Sequence, residues 1–330
     1  MARRLFRRSI SSGTITIPAV PEMIDEYVTM CDQVFAGLGT RFTSEQLAHL
    51  RSILEEQLAR AYAGSQRSDI VITYEAPVGE ILNYTVEASW VTIEGAYEHW
   101  IATRQPPLFG THPDARVWAL AGEATDPRGF PILEIGPGTG RNALPLARRG
   151  HPVDVIEVTA KFAEMIRADA LRESLDVNVF QRDMFEITAE ELRGDYKLIV
   201  LSEVVPEFRT TDEFRTLFTL ASRCLAPGGR LVFNVFLAKE GYVPDGAARA
   251  LAEQCYSAVF TRQEVSEALT GLPLMEVGDD SVYDYEKAHL PDGAWPPTGW
   301  YEEWITGLDV FAVDPRQCPI ELRWLVYQKF

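Results

Sequence analysis

Long apolar runs are missing from this 330-residue chain: none approaches the about 18 residues that a membrane-crossing helix needs, so no membrane partner is expected. Cysteine is scarce. Cys31, Cys224, Cys255 and Cys318 are widely spaced, form no CxxC pair, and have no histidine at ligand spacing. A structural zinc or a disulfide framework is therefore not expected, and the pattern fits buried thiols in a reducing, cytoplasmic setting. His49, His99, His112, His151 and His289 are scattered and make no metal motif, so no metal is expected. Positive charge is in the minority, with 31 Lys and Arg against 48 Asp and Glu and a formal net charge of −17. Such a surface repels a polyanion such as tRNA or DNA; it suits a small or cationic partner better, and it also keeps a protein soluble. Internal repeats and long low-complexity segments are absent as well.

The rest is ordinary for a globular protein: 46% hydrophobic and 24% charged residues, in a length that serves one large domain or two small ones. The opening "MARRLFRRSI" has no apolar core of the kind a secretory signal carries, and residues 1–18 read as a disordered basic tail. Residues 19–112 read as a mainly helical extension. "PEMIDEYVTMCDQVFAGLG" carries Met23, Tyr27, Met30 and Phe35 near helical spacing. Thr43 with Gln46 makes a capping box ahead of a second helix. "DIVITYEA" alternates like a strand, and "EGAYEHWIATR" reads as a helix that ends at the prolines of "RQPPLFG".

From about residue 113 strands and helices alternate to the end. "FPILEIG", "HPVDVIEV", "DVNVFQRDMF", "YKLIVLSEV" and "RLVFNVFLA" read as strands with helices between them. "TRQEVSEALTG" is a helix with a capping box at Thr261 and Glu264, and "LPLMEVGDDSVYDYE" and "PIELRWLVYQKF" read as two last strands. This order predicts an open α/β sheet with parallel strands. Residues 286–318, rich in aromatics and prolines, read either as a substrate-side insertion or as a helical pad over the sheet edge.

The stretch "ILEIGPGTGRNALPLARRG" follows the first of these strands with Gly136, Gly138 and Gly140 at alternate positions. Glycines there let the backbone turn tightly and approach a ligand at the carboxyl ends of the strands. The spacing G-x-G-x-G differs from the G-x-G-x-x-G of a dinucleotide site. Nearby acids narrow the ligand. Glu157 ends the second strand, where an acid can accept both hydroxyls of a ribose. Asp183 follows the third strand, where an adenine amine can be read. Glu134 stands beside the loop and suits a network around an ammonium. An adenosine joined to a cationic amino acid fits all three.

The motifs "LEIGPGTG", Glu157, "RDMF" and "LAPGGRLVF" together resemble the class I S-adenosylmethionine-dependent methyltransferases over about residues 115–285 and the last strand. "GRNALPLARRGHPVDVIEV" is similar to the tellurite-resistance methyltransferase-like branch. The resemblance implies a Rossmann-like seven-stranded sheet in the order 3-2-1-4-5-7-6 over residues 113–330, from which the N-terminal extension and the 286–318 insertion before the last strand depart. It implies S-adenosylmethionine contacts from Glu134, Gly136, Pro137, Gly138, Gly140, Asn142, Glu157, Val158, Asp183, Met184 and Ser202, with Tyr97 or Trp100 reaching the methionine end from a lid helix.

Methyl transfer asks the protein mainly to hold donor and acceptor in line and to exclude water, with a base only if the nucleophile arrives protonated. Glu203 and Glu207, after the fourth strand, are candidates to orient or deprotonate an amine. Tyr283, Tyr285 and His289 are further candidates. An aromatic-lined pocket also suits a cationic acceptor. The expected activity is methyl transfer to a small molecule; a peptide or protein acceptor, or a catalytically inactive adenosylmethionine-binding partner protein, are the alternatives, with a nicotinamide-dependent oxidoreductase or an RNA methyltransferase behind them. A homodimer is compatible with the sequence.

Overall fold

Polar and apolar residues alternate along Thr14-Ile15-Thr16-Ile17, which gives an extended chain one face to bury. In the computed structural model, which describes residues 10–77 and 82–330, this stretch lies in strand β1 (Ile10–Pro18). Helices α1 (Ile24–Gly37) and α2 (Ser44–Gly64) follow, then β2 (Ser68–Pro77) and β3 (Asn83–Trp90). β1 pairs antiparallel with β2, from Ile10 opposite Pro77 to Pro18 opposite Asp69, and β2 pairs antiparallel with β3. α2 starts at the anticipated capping box: the Gln46 N–H donates to the Thr43 hydroxyl oxygen at 3.3 Å, and the Thr43 N–H donates to Gln46 Oε1 at 2.8 Å. Leu50, Leu54 and Leu58 recur at helical spacing on α2 and meet Tyr27, Cys31 and Phe35 of α1 and Ile17, Ile70 and Ile72 of the sheet. The expectation of a mainly helical extension is thus corrected: a three-stranded sheet belongs to it. Residues 10–18, expected in a disordered tail, form its first strand, and residues 1–9 of that tail lie outside the described residues.

Two compact units make up the chain. The first takes the described residues up to Ile93 together with Asp245–Gln254, and the second is Glu94–Pro244 with Cys255–Phe330. The second unit therefore begins well before residue 113 and includes most of helix α3 (Ile93–Thr103).

After α4 (Ala115–Gly122) the second unit alternates through β4 (Ile132–Ile135), α5 (Ala143–Arg148), β5 (Val153–Ile156), α6 (Ala160–Glu173), β6 (Val177–Phe180), β7 (Tyr196–Leu201), α7 (Thr211–Cys224) and β8 (Leu225–Ala238). The chain then visits the first unit through α8 (Gly246–Gln254), whose Ala250 joins that unit's core. It returns with β9 (Val259–Phe260), α9 (Arg262–Leu269), β10 (Leu274–Ser281), α10 (Val282–His289), α11 (Tyr301–Ile305) and β11 (Ile320–Lys329). The sheet runs β6-β5-β4-β7-β8-β11-β10. β4 to β8 are parallel to one another and β11 is antiparallel to both β8 and β10.

Two details differ from the sequence reading. A short strand, β9, adds itself parallel to β8 at Phe236 and Leu237. The strand expected to run through "SVYDYE" stops at Ser281, whose hydroxyl accepts the Asp284 N–H and starts α10.

Burial explains the short strands. All four residues of β4 are buried, as a parallel strand covered on both faces requires. On one face α7 brings Phe214, Leu217 and Phe218 onto Ile199, Leu231 and Phe233. Because β4 has β5 on one side and β7 on the other, the sheet changes direction there, and the carboxyl end of β4 is its topological switch point.

Candidate active site

The loop from β4 into α5 occupies that switch point. Gly136, Gly138 and Gly140 have φ of +67°, +53° and +82°, the left-handed region that side chains avoid. Space is short as well. A Cβ on Gly136 would stand 2.4 Å from Val204 Cγ2, and one on Gly138 would stand 3.1 Å from Phe109 Cε2. The turn is pinned by the Gly136 N–H donating to the Ile156 carbonyl and the Gly140 N–H donating to the Pro137 carbonyl, both at 2.8 Å.

Glu157, next after β5, is 4% exposed. One carboxylate oxygen accepts the Gly138 N–H at 3.1 Å and the other accepts the Thr159 N–H at 2.7 Å. Burial raises its carboxyl above the ordinary range while these amides pull it down. Val158, beside it, is exposed. Asp183 is exposed and accepts the Phe185 N–H at 2.9 Å, and Met184 is buried.

A buried polar network fills the other side of the loop. The Asp114 carboxylate accepts from Arg141 Nη1 at 2.5 Å and Nη2 at 3.2 Å, and Arg141 Nη2 also donates to Glu203 Oε1 at 2.8 Å. Asn142 Nδ2 donates to Asp114 at 2.9 Å and to Glu134 Oε1 at 3.0 Å, and Asn142 Oδ1 accepts the Asp114 N–H at 2.8 Å. Burial pushes both Glu134 and Glu203 up to about 7, against the pull of Asn142 on the first and of Arg141 on the second. Burial alone would lower Arg141, yet Asp114 and Glu203 outweigh it and keep the guanidinium charged. Glu286 of α10 accepts the Ala115 N–H at 2.7 Å, the Arg116 N–H at 3.1 Å and Trp324 Nε1–H at 2.9 Å. It thereby caps α4 beside the same network, and burial lifts it to about 7.

Three buried atoms on or just after neighbouring strands have no hydrogen-bond partner: Glu134 Oε2, Ser202 Oγ and Asn234 Nδ2. They sit on or just after β4, β7 and β8. Each such atom costs about 1–3 kcal/mol until a polar partner meets it.

An aromatic wall faces the loop. Phe109 stacks with Trp100 at 6.3 Å and packs edge-on with Tyr97 at 6.3 Å, while the Tyr97 hydroxyl donates to Glu207 at 3.1 Å. Trp300 meets Trp100 edge-on at 6.3 Å. Residues 286–318 thus reach the site: Trp300 is in the wall, and Tyr301 lies within electrostatic range of Glu203, Asp114 and Arg141.

The structure gathers Glu134, the glycine loop, Asn142 and Glu203 into one network. Tyr283, Tyr285 and His289 are set apart from it. All three sit on α10 rather than on the strand expected. The Tyr283 hydroxyl accepts from Lys287 at 2.6 Å and donates to Glu302 at 3.1 Å, and Tyr285 stacks on His289 at 4.3 Å. Asp114, Arg141, Asn234, Glu286 and Tyr301 escaped the sequence reading. Asn234 left a signal there: it is the one polar residue inside the apolar run "LVFNVFL".

Residues 132–229 match the methyltransferase-domain family model. A ubiquinone biosynthesis O-methyltransferase from Erwinia tasmaniensis is 24% identical over 157 residues, covering 47% of this chain and 59% of that protein. A geranyl diphosphate methyltransferase, solved with GPP and sinefungin, is similar in fold with a TM-score of 0.50 at 16% identity, over 66% of this chain and 77% of that one. A protein from Galdieria sulphuraria, assigned as a candidate sarcosine dimethylglycine methyltransferase, gives a TM-score of 0.50 at 15% identity over 72% and 97%. Among the described residues no helix is long and apolar enough to cross a membrane. Residues 132–229, from β4 into β8, are thus similar to a methyltransferase domain and lie within this α/β sheet.

Proposed function

We propose that the protein transfers a methyl group from S-adenosylmethionine to a small-molecule acceptor. The observation that carries this reading is the glycine loop, held in left-handed turns at the switch point and tied by Gly138 to the buried Glu157. The residues fit the cofactor from end to end. Glu157 keeps lone pairs for the ribose hydroxyls. The exposed Val158 and Phe185 offer apolar surface beside Asp183 and Met184 for an adenine. The orphaned Glu134 Oε2 and Ser202 Oγ are an acceptor and a hydroxyl for the amino-acid end, with Asn142 orienting Glu134. Pro137 shapes the loop, and Tyr97 and Trp100 cover it from α3.

When bound, S-adenosylmethionine supplies a sulfonium methyl for in-line displacement. The chain contributes position and dryness: the aromatic wall and residues 286–318 exclude water from the strand ends. A small acceptor is favoured by the acidic chain and by a wall of closely packed rings. Equilibrium binding of S-adenosylhomocysteine to Glu157→Ala and Asp183→Ala tests the assignment. Each substitution removes a polar partner of adenosine and weakens binding by about tenfold or more. Unchanged affinity in both variants overturns the site.

A further inference from the structure

The charges of the polar network do not balance. Glu286 is served by three donors, and Glu157 by two backbone amides. Arg141, the guanidinium within the network, is shared by two carboxylates: Asp114 takes both of its terminal nitrogens and Glu203 takes one. Arg141 balances one of the three carboxylates Asp114, Glu134 and Glu203; with Glu134 given to the cofactor's amino-acid end in the proposed function, one negative charge remains, and it falls at Glu203. A buried carboxylate in surplus is expensive unless a cation or a proton meets it.

Glu203 is also held in an unusual posture. Its φ is +61°, the left-handed region that a side chain enters only when its surroundings impose it. Two contacts impose it: the Arg141 bond, and the Glu203 N–H donating to Asn234 Oδ1 at 2.7 Å. That second bond leaves Asn234 Nδ2 beside Glu203 with no partner, and the hydroxyl of the preceding residue, Ser202, has none either. Asn234 is 0% exposed and Ser202 8% exposed. With Ser202 given to the cofactor's amino-acid end, the Asn234 amide is the sign, separate from the charge, that a polar ligand completes the site next to Glu203.

The wall in front is built of rings with part of their surface open. Tyr97, Trp100, Phe109 and Trp300 are all half-buried. Tyr301 connects them to Glu203: its ring lies 5.9 Å from that of Trp300, and its hydroxyl feels the Glu203 charge. On Trp100 a cation is already seated, with the Arg104 guanidinium 3.6 Å from the ring centroid. Aromatic faces joined to a surplus carboxylate are what a desolvated cation needs.

We propose that the acceptor of this methyltransferase is an amine, taken up as its ammonium between the aromatic wall and Glu203. The proposal rests on the methyltransferase reading above. In the step it implies, the ammonium gives one proton to the Glu203 carboxylate, which becomes the neutral acid. The freed nitrogen lone pair forms the new N–C bond to the methyl, and the electrons of the broken C–S bond stay on sulfur. The positive charge of the sulfonium ends on the methylated nitrogen.

The test is binding to the full chain saturated with S-adenosylhomocysteine, using 2-phenylethylammonium and its neutral counterpart 2-phenylethanol as probes, followed by saturation-transfer NMR. The ammonium is expected to bind at least about tenfold more tightly. Glu203→Gln, which keeps an acceptor for Arg141, should erase that preference in protein that S-adenosylhomocysteine still saturates. Trp100→Leu, which leaves the Arg141 contacts untouched, should weaken the ammonium more than the alcohol. Equal affinity for the two probes, no ammonium binding to the loaded protein, or a preference that survives both substitutions overturns the proposal. Failure of S-adenosylhomocysteine itself to bind overturns the methyltransferase reading instead, so the two failures are told apart.

Discussion

Glu157 accepts the backbone N–H of Gly138 at 3.1 Å, joining the end of the second parallel strand to the middle of the glycine loop. The bond joins the loop rigidly to the acid proposed to face the ribose. A cofactor cradle of this kind works by being in place before its ligand arrives.

Gly136→Ala should cost stability and cofactor binding together. The substitution forces a side chain to φ +67° and puts a Cβ 2.4 Å from Val204. The backbone part alone costs about 1–2 kcal/mol, and the clash adds to it. Chemical denaturation should show the loss. Adding Val204→Ala should recover the clash and leave the backbone part.

Removing Asp114 should be more damaging than its size suggests. The Arg141 and Asp114 side chains are 6% and 2% exposed, so Asp114→Ala leaves a buried guanidinium with Glu203 alone and takes one of two acceptors from the Asn142 amide. Loss of one partner of a buried pair costs about 3–5 kcal/mol. Denaturant midpoints at equal slope provide the measurement.

Acidity should stabilise the ligand-free protein over part of its range. Glu134, Glu203 and Glu286 are raised to about 7 from 4.5, so between those values the folded chain binds more protons than the unfolded one. Stability then rises as pH falls from about 7 toward about 4.5, and levels off above 7. His151, lowered by burial, works the other way through one group. Thermal unfolding from pH 8 to pH 5 should show a net rise, and Glu203→Gln should reduce its slope.

Asn234→Ala should expose what that side chain does. The Glu203 N–H would lose its acceptor in a part-buried setting beside the buried Asn234 position, at a cost of about 1–3 kcal/mol. Asn234→Asp keeps an acceptor and should restore most of the stability while adding a second charge beside Glu203. Unfolding curves of the two variants separate these effects.

Local signals carried much of this in the sequence. The glycine spacing, the strand-end acids and the capping boxes at Thr43 and Thr261 act over a few residues, and the structure keeps all of them. What stayed hidden depends on partners far along the chain. β1 is largely exposed and exists through its pairing with β2, some sixty residues on. Tyr283 and Tyr285 alternate like strand residues, but the Ser281 cap turns them into a helix. Arg141, in the sequence merely a departure from a glycine pattern, gains its meaning from Asp114, 27 residues before it, and Glu203, 62 residues after.

Calorimetric titration of the full chain with S-adenosylhomocysteine and with NADH tests the central claim most directly. Micromolar binding of S-adenosylhomocysteine and no heat from NADH is the predicted result. Binding of NADH with none of S-adenosylhomocysteine would contradict the account.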